Sequence, residues 1–187
     1  AVTAAYSPLR KECHFSKSRS SVNKQACKYF GNNIKVSILG NSHGVELAYA
    51  IAEELKNADI GLVHHTISGC ESNYGLREKI PNIYKDHPKK IHKIKKAIVC
   101  ADWHSSVVNS ILSNENIDTV IVSYRNDWFL NDEIYSSAMN KMLSDLSKYK
   151  KNVILVLQAP FIKQTDNLGK KMQAKNLLLL LPLLVNS

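Results

Sequence analysis

A serine in a tight turn is the first candidate for chemistry in this chain of 187 residues. Residues 40–44 (Gly-Asn-Ser-His-Gly) separate an apolar, β-branched run at 34–39 from a run with helical spacing at 45–55, which predicts a strand, a turn and a helix. Ser42 would lie beside a helix N-terminus, where backbone N–H groups stabilise developing negative charge. The position suits a nucleophile. On position alone, simple capping of the helix by Asn41 or Ser42 is the favoured interpretation.

Apolar runs further along the chain predict three more strands, separated by helices. The predicted strands are 60–67, 119–123 and 153–157, and the predicted helices are 89–100, 105–114 and 132–149. This alternation predicts a three-layer α/β/α sandwich with a parallel, flavodoxin-like sheet in the order second, first, third, fourth strand. Ligands bind outside the carboxyl ends of such strands. Ser42, Gly69 and Asn126 all fall at that edge, so we expect them to face one crevice.

Length and composition favour one folded domain. The chain has 44% hydrophobic and 22% charged residues, which is ordinary globular composition. Residues 1–33 are polar, without a sustained period, and are predicted to form a loop-like arm. Its first six residues have no signal-peptide features and are typical of a cut fragment. Residues 34–187 are predicted to form the α/β domain.

The domain pattern becomes doubtful after Pro160. The sequence turns Lys-rich and ends in a leucine-rich run at 177–185, which Pro182 interrupts. This run is too short to span a bilayer, and no other segment is long enough, so we expect no membrane span. The tail is typical of a truncated or frame-shifted end, which would leave the fold incomplete at its C-terminus. A buried terminal helix is the alternative.

The net charge of +9 favours acidic partners or anionic surfaces. The lysines are scattered through 79–96 and 141–151 and are not interleaved with aromatic residues. No nucleic-acid-binding motif accompanies them, so we interpret most of them as a solvated face and expect no nucleic-acid partner.

The four cysteines are Cys13, Cys27, Cys70 and Cys100. No Cys-x-x-Cys pair and no zinc-finger histidine spacing occurs, so no structural metal is predicted. Of the three possible disulfide pairings we favour Cys13 with Cys27 and Cys70 with Cys100, because each closes a local loop at an element boundary. Two disulfides would indicate an oxidising compartment. Four reduced thiols in a cytosolic protein are the alternative.

The blocks at the strand ends resemble those of the SGNH (GDSL-like) hydrolase superfamily. That superfamily has Gly-Asp-Ser after the first strand, Gly after the second, Gly-x-Asn-Asp after the third and Asp-x-x-His near the C-terminus. Residues 40–43 are similar to the first block, Gly69 to the second and residues 124–127 (Tyr-Arg-Asn-Asp) to the third. The His after the Ser, the cysteines before the first strand and the Gly-Cys after the second resemble SGNH domains fused behind membrane acyltransferases that O-acylate bacterial surface polysaccharides. The resemblance covers residues 13–160.

The resemblance implies an SGNH hydrolase fold and a serine esterase or O-acyltransferase that acts on acylated carbohydrate. Ser42 would be the nucleophile. The backbone N–H groups of Ser42 and Gly69 and the side-chain amide of Asn126 would form the oxyanion hole. No cofactor or metal is implied. The domain would be periplasmic or otherwise extracytoplasmic, tethered to the inner membrane by a membrane acyltransferase domain in the full-length protein.

Three departures from the superfamily pattern weaken the catalytic expectation. Asn41 replaces the usual Asp, Tyr124 replaces a Gly, and no Asp-x-x-His occurs anywhere in the chain, whose last histidine is His104. The general base is therefore not found. His43 is adjacent to Ser42 at a helix start and would point elsewhere, so we interpret it as an orienting or packing residue. The resemblance thus implies impaired acyl transfer in this chain, with a catalytically silent, carbohydrate-binding or scaffolding domain as the alternative.

Overall fold

The computed structural model describes residues 7–15, 26–125, 132–157 and, for the backbone, 179–182. Its helices are α1 (Arg10–Cys13), α2 (Gly44–Lys56), α3 (Ile80–Ile83), α4 (Lys90–Ser113) and α5 (Glu133–Ser147), with a 3₁₀ turn at Arg77–Lys79. Its strands are β1 (His14–Phe15), β2 (Cys27–Tyr29), β3 (Ile34–Gly40), β4 (Gly61–Ile67), β5 (Thr119–Ser123), β6 (Asn152–Leu157) and β7 (Leu179–Pro182).

The strands form one seven-stranded sheet within the described residues. Its order is β1-β4-β3-β5-β6-β7, and β2 also pairs with β4. Strands β3 to β6 run parallel in the predicted order, second, first, third, fourth. Strands β2 and β7 are antiparallel to their neighbours β4 and β6. The predicted α/β class and parallel, flavodoxin-like sheet are therefore confirmed.

Helices cover both faces of the sheet because its central strands are apolar on both sides. Six of the seven residues of β3 are buried. One face packs against α2, where Ile38 meets Ala48 and Ala52 in a common cluster. The other face packs against α4 and α5 in a larger cluster that includes Leu39 and Met142. The result is the predicted three-layer arrangement.

A single helix replaces the two predicted at 89–100 and 105–114. Helix α4 runs without interruption through residues 101–104 (Ala-Asp-Trp-His), which contain neither Gly nor Pro. Three of those four residues are buried, so tertiary packing extends the helix across the predicted gap. Within the described part of the chain, no helix is long and apolar enough to cross a membrane.

The arm and the tail both differ from expectation where the structure describes them. Strands β1 and β2 of the arm pair with β4, through His14 opposite Thr66 and Cys27 opposite His64. Strands of two and three residues are too short to show a period in the sequence. The terminal residues 179–182 form strand β7 on β6, so the alternative of a terminal helix is wrong for these residues.

Two disulfides join Cys13 to Cys27 and Cys70 to Cys100, with Cα atoms 5.3 Å and 5.6 Å apart. The predicted pairing is confirmed. The first joins α1 to β2 in the arm. The second ties the turn after β4 to the middle of α4, so it fixes the loop that carries Gly69 to the helical layer.

Removing the second disulfide should destabilise the protein more than removing the first. The paired substitutions Cys70→Ala and Cys100→Ala open a loop with a sequence separation of 30, against 14 for Cys13 and Cys27. Loop-closure entropy then predicts losses of about 3.5 and about 3 kcal/mol in the free energy of unfolding. Urea unfolding of both double variants measures the losses. Unchanged midpoints would show that neither crosslink stabilises the fold.

Candidate active site

The turn that carries Ser42 lies at the middle of the sheet's carboxyl edge. Its strand β3 is flanked by β4 and β5, and Gly40 is paired with Thr66 on one side and Ser123 on the other. The chain passes from β3 to β4 on one side and then crosses back to β5 on the other. This reversal of direction is the topological switch point at which open α/β sheets bind ligands.

Close backbone approach fixes the position of this turn. A Cβ atom on Gly40 would lie 2.1 Å from the backbone oxygen of Ser123, so only glycine fits there. The same oxygen accepts a hydrogen bond from the backbone N–H of Asn41 at 3.3 Å. The start of the turn is thus held against the end of β5, the strand that leads to the third block.

Asn41 shapes the turn from within. Its side chain is buried, and its Oδ1 accepts a hydrogen bond from the backbone N–H of His43 at 3.0 Å. Its backbone oxygen accepts another from Gly44 at 3.0 Å. Its Nδ2 has no hydrogen-bond partner among the described residues. The amide thus performs the acceptor role that an Asp would perform, but it leaves a buried donor unsatisfied, which is unfavourable.

Ser42 is half-buried and directly precedes His43, the N-cap residue of α2. Helix α2 has no side-chain capping hydrogen bond, so capping by Asn41 or Ser42 is not observed, and the Asn41 Oδ1 atom instead closes a local turn before the helix. No hydrogen bond joins the Ser42 hydroxyl to another described residue. A half-buried hydroxyl at a strand end is in a position that suits a nucleophile, but no described basic side chain is hydrogen-bonded to it.

Gly69 lies in the turn that follows β4 and has a positive φ of 55°, in the left-handed region that favours glycine. The next residue, Cys70, is fully buried and bonded to Cys100. Since β4 is the parallel neighbour of β3, Gly69 and Ser42 leave the sheet at the same edge. The backbone conformation alone therefore explains why a glycine is favoured at position 69, independently of any oxyanion role.

Asn126 lies outside the described residues, and so does Asp127. The last described residue before them is Arg125, directly beyond the end of β5. Because Ser123 pairs with Gly40, the chain enters the third block beside the turn of Ser42. The role of Asn126 in the oxyanion hole stays a prediction.

A fully buried histidine supports the entrance to the third block. His104 Nδ1 lies 2.6 Å from the backbone oxygen of Cys100, and its Nε2 lies 2.6 Å from the Tyr124 hydroxyl. A carbonyl only accepts, so Nδ1 carries the proton and the tyrosine donates to Nε2. Burial lowers the pKa of His104 to about 4 and raises that of Tyr124. His104 is fully buried and hydrogen-bonded at both ring nitrogens, so it is not placed to take a proton from Ser42.

Sequence reasoning missed this pair. The available signal was Tyr124 itself, a bulky residue where the superfamily has glycine. Its side chain is 1% exposed and fills the space between β5 and α4. Together with the disulfide at Cys100, the pair connects the third block to the loop of Gly69 through α4.

A second histidine network lies on β4, short of its carboxyl end. His64 is hydrogen-bonded to the Tyr29 hydroxyl through Nδ1 at 3.0 Å and to Thr66 Oγ1 through Nε2 at 2.6 Å. His14 Nδ1 lies 2.9 Å from the same Thr66 oxygen. Burial lowers the pKa of His64 to about 3, and that of His14 and His65 to about 4. These rings are neutral structural groups, and no described hydrogen bond joins a histidine ring to Ser42.

Two of the cavities formed by the described residues are relevant to the candidate site. The larger, of about 660 Å³, is next to α4 and is lined by His65, Trp103 and Ser106 among others, but by no residue of the turn 40–44. The smaller, of about 20 Å³, adjoins the second block. It is lined by Gly69, Glu71, Asn73, Tyr84, Lys93, Lys96, Ala97 and Cys100. Neither cavity is lined by a residue of the turn 40–44, and the smaller one adjoins the candidate site through Gly69 alone.

No cluster of three or more His, Cys, Asp or Glu side chains suited to a metal ion occurs among the described residues.

The chain matches the family described as the SGNH domain (fused to AT3 domains) over residues 12–183. No curated protein matches it significantly. The matched range includes the turn of Ser42, the turn of Gly69 and the third block.

Proposed function

Because the chain belongs to the family of SGNH domains fused to AT3 domains, we propose that it is a serine-dependent acyl-transfer domain with Ser42 as its nucleophile. Its substrates are acyl groups on bacterial cell-surface polysaccharide, which it transfers or hydrolyses. The family itself is one of hydrolase-like and acyltransferase-like domains. The substrate and the residue roles are our proposals.

The observation that carries this proposal is the clamp between Gly40 and Ser123. It holds the turn at the switch point of the sheet, where Ser42 is half-buried. The N-cap position of α2 is occupied by His43, so capping of the helix does not account for Ser42.

The proposed chemistry begins with attack of Ser42 Oγ on the carbonyl carbon of an ester. The backbone N–H groups of Ser42 and Gly69 and the side-chain amide of Asn126 stabilise the negative charge on the tetrahedral intermediate. Collapse of that intermediate expels the sugar hydroxyl and leaves an acyl group on Ser42. Water or a second hydroxyl then accepts the acyl group.

The chain is proposed to be an impaired catalyst. Serine is a weak nucleophile without an adjacent base, and no Asp-x-x-His occurs in the 187 residues. Three described histidines form ring hydrogen bonds away from Ser42. His14 and His64 bond to Thr66, and His104 bonds to Cys100 and Tyr124. Formation of the acyl-serine is therefore the slow step.

The proposed setting is the periplasm or another extracytoplasmic compartment. Two disulfides are typical of an oxidising environment. Fusion to AT3 domains in the family supports a membrane acyltransferase as partner, which would tether this domain to the inner membrane in the full-length protein. No cofactor takes part in the proposed reaction.

A catalytically silent, carbohydrate-binding or scaffolding domain is the second candidate function. The observation that favours it is the Asn41 amide, whose Nδ2 is buried without a described partner in the turn that carries Ser42. Such a domain would bind acylated saccharide and would form no acyl-serine.

Imidazole should rescue the acylation of Ser42. If the chain lacks only a base, p-nitrophenyl acetate with added imidazole acetylates Ser42, because imidazole takes the hydroxyl proton as p-nitrophenolate leaves. Mass spectrometry of the peptide that contains Ser42 measures the acetyl group. We expect at least tenfold more acetyl-Ser42 with imidazole than without it, which is less than the ~10²-fold or greater effect of a base held in position by the protein.

Two controls keep this result specific. The Ser42→Ala variant should carry no acetyl group on that peptide, and Ser68, in the turn beside Gly69, should remain unmodified in the unaltered chain. Acetyl groups that appear only on lysines, with or without imidazole, would overturn the nucleophile and favour the silent domain.

A further inference from the structure

One stretch of the chain accounts for most of the protein's net positive charge. Within residues 77–96, which we call the basic segment, eight cationic residues against Glu78 and Asp86 leave a net charge of +6, out of +9 for the whole chain. The cations are Arg77, Lys79, Lys85, Lys89, Lys90, Lys93, Lys95 and Lys96. Arg77 pairs with Asp102, but none of the seven lysines forms an ion pair with a described residue.

The basic segment reaches the candidate active site through α4. Lys93 and Lys96 line the small cavity that adjoins Gly69. They are three residues apart on a helix, so they lie on the same face. Two lysines without a described ion pair therefore line the cavity that adjoins the turn in which the proposed function places an oxyanion donor.

Asn73 gives independent evidence for a ligand. It lines the same cavity, is 1% exposed, and its Oδ1 has no hydrogen-bond partner among the described residues. A buried acceptor without a donor is unfavourable, so such groups are usually satisfied by a ligand or an ordered water. A sugar hydroxyl is a donor of the required kind.

The cavity also has one acidic side chain in its lining, Glu71, which with Lys93 and Lys96 leaves a net charge of +1. Burial raises the pKa of Tyr135, and the Tyr84 hydroxyl beside it and the charge of Glu71 raise it further. The Tyr135 hydroxyl lies 2.6 Å from that of Tyr84, which lines the cavity. Tyr84 is half-buried and adds an aromatic surface of the type that packs against sugar rings.

We propose that the polysaccharide substrate is acidic, and that Lys93 and Lys96 bind a sugar carboxylate beside Gly69 while Asn73 accepts a hydrogen bond from a sugar hydroxyl. This inference rests on the proposed function and gives its substrate a chemical class. A saccharide is favoured over an anionic membrane surface, because its hydroxyl groups can donate to the buried Asn73 acceptor and its rings can pack on Tyr84, and both residues line the cavity with the two lysines.

Titration calorimetry with the Ser42→Ala protein tests the proposal without dependence on catalysis. The probe is an oligogalacturonate, compared with a neutral malto-oligosaccharide of equal length at low salt. We expect the acidic probe to bind and the neutral probe to bind at least tenfold more weakly. The affinity for the acidic probe should fall as salt is added, because the lysines are solvent-accessible.

Charge-matched double variants locate the site. Lys93→Gln with Lys96→Gln should weaken oligogalacturonate binding by about tenfold or more, because two charged contacts near the surface are lost. The control Lys35→Gln with Lys151→Gln removes the same charge at the amino-terminal edge of the sheet, because Lys35 is the second residue of β3 and Lys151 directly precedes β6. It should change the affinity by less than about twofold. Asn73→Ala should weaken binding without a change in salt dependence.

The other possible results each support or overturn the proposed binding site. Equal losses in both double variants would show diffuse attraction and overturn the site. Equal affinity for both probes would overturn an acidic substrate, and binding to phosphatidylglycerol vesicles with none to oligogalacturonate would assign the basic segment to membranes. Binding at Lys93 and Lys96 without any acetyl-Ser42 would support the site while the proposed catalytic function fails.

Discussion

A version of the chain that carries an Asp-x-x-His segment downstream of Pro160 should hydrolyse p-nitrophenyl acetate on the order of 10³-fold faster than the 187-residue chain. The added histidine would take the Ser42 proton during attack and return it to the leaving group. Without it, only binding and the oxyanion donors remain, and the unaltered chain and its Ser42→Ala variant should hydrolyse the ester at nearly the same rate. Initial rates of p-nitrophenolate release compare the version with the added segment, the unaltered chain and the Ser42→Ala variant.

The matched control carries the same added segment with alanine in place of its histidine, and it should be as slow as the unaltered chain. Strong activity of the unaltered chain that disappears with Ser42→Ala would contradict the prediction, because another base would then exist. His43 would be the residue to test. His104 is excluded by its full burial and by hydrogen bonds at both ring nitrogens.

Gly40→Ala should lower the free energy of unfolding by about 3 kcal/mol or more, the upper range for overpacking of a rigid site. The new Cβ would lie 2.1 Å from the Ser123 backbone oxygen, and neither strand can move without breaking the parallel ladder between β3 and β5. Any protein that still folds should lose the hydrogen bond from Asn41 to Ser123. Urea unfolding followed by far-UV circular dichroism measures the effect.

Gly44→Ala is the matched control for this substitution. Its Cβ would meet neighbouring atoms at 3.4 to 3.5 Å, which is ordinary contact, and it lies at the first position of α2. Its stability should change by less than about 1 kcal/mol, within the range of helix propensities. Equal stabilities of the two variants would show that the turn yields to accommodate a side chain, and that the clamp does not fix Ser42.

The parallel core could be predicted because each of its strands is a local apolar run. The run 119–123 and the run beginning at Ile34 are continuous in the sequence, and their burial on both faces follows from helices that alternate with them. The short strands β1 and β2 could not be predicted. Their residues are polar or isolated, and only pairing with β4, more than thirty residues away, gives them regular structure.

Helix α4 is a second element that local sequence patterns did not predict correctly, because one helix was predicted as two. Its first half is rich in lysine and its second half contains none, and two helices were predicted from the sequence. What joins them is burial of Trp103 and His104 against partners distant in the chain, such as Tyr124. Tertiary contacts of this kind leave no local pattern.

The candidate site was predictable where it depends on strand ends and unpredictable where it depends on packing. The positions of Ser42 and Gly69 follow from the chain order of strand and turn, and the register of β3 with β4 agrees with it. Their chemical roles and that of Asn126 stay predictions. The unsatisfied acceptor of Asn73 and its two neighbouring lysines depend on how α4 packs over the second block, which no spacing in the sequence indicates.

Strand β7 has a consequence for self-association. A long open edge of parallel strands would be a template for pairing with a second chain and, from there, for fibrillar aggregation. Here β6 is paired with an antiparallel strand of four residues that ends in Pro182, which has no N–H to donate. At the opposite margin, β1 and β2 are only two and three residues long. Both margins of the described sheet are therefore poor templates for a polymer, although the strands between them are rich in valine, isoleucine and leucine.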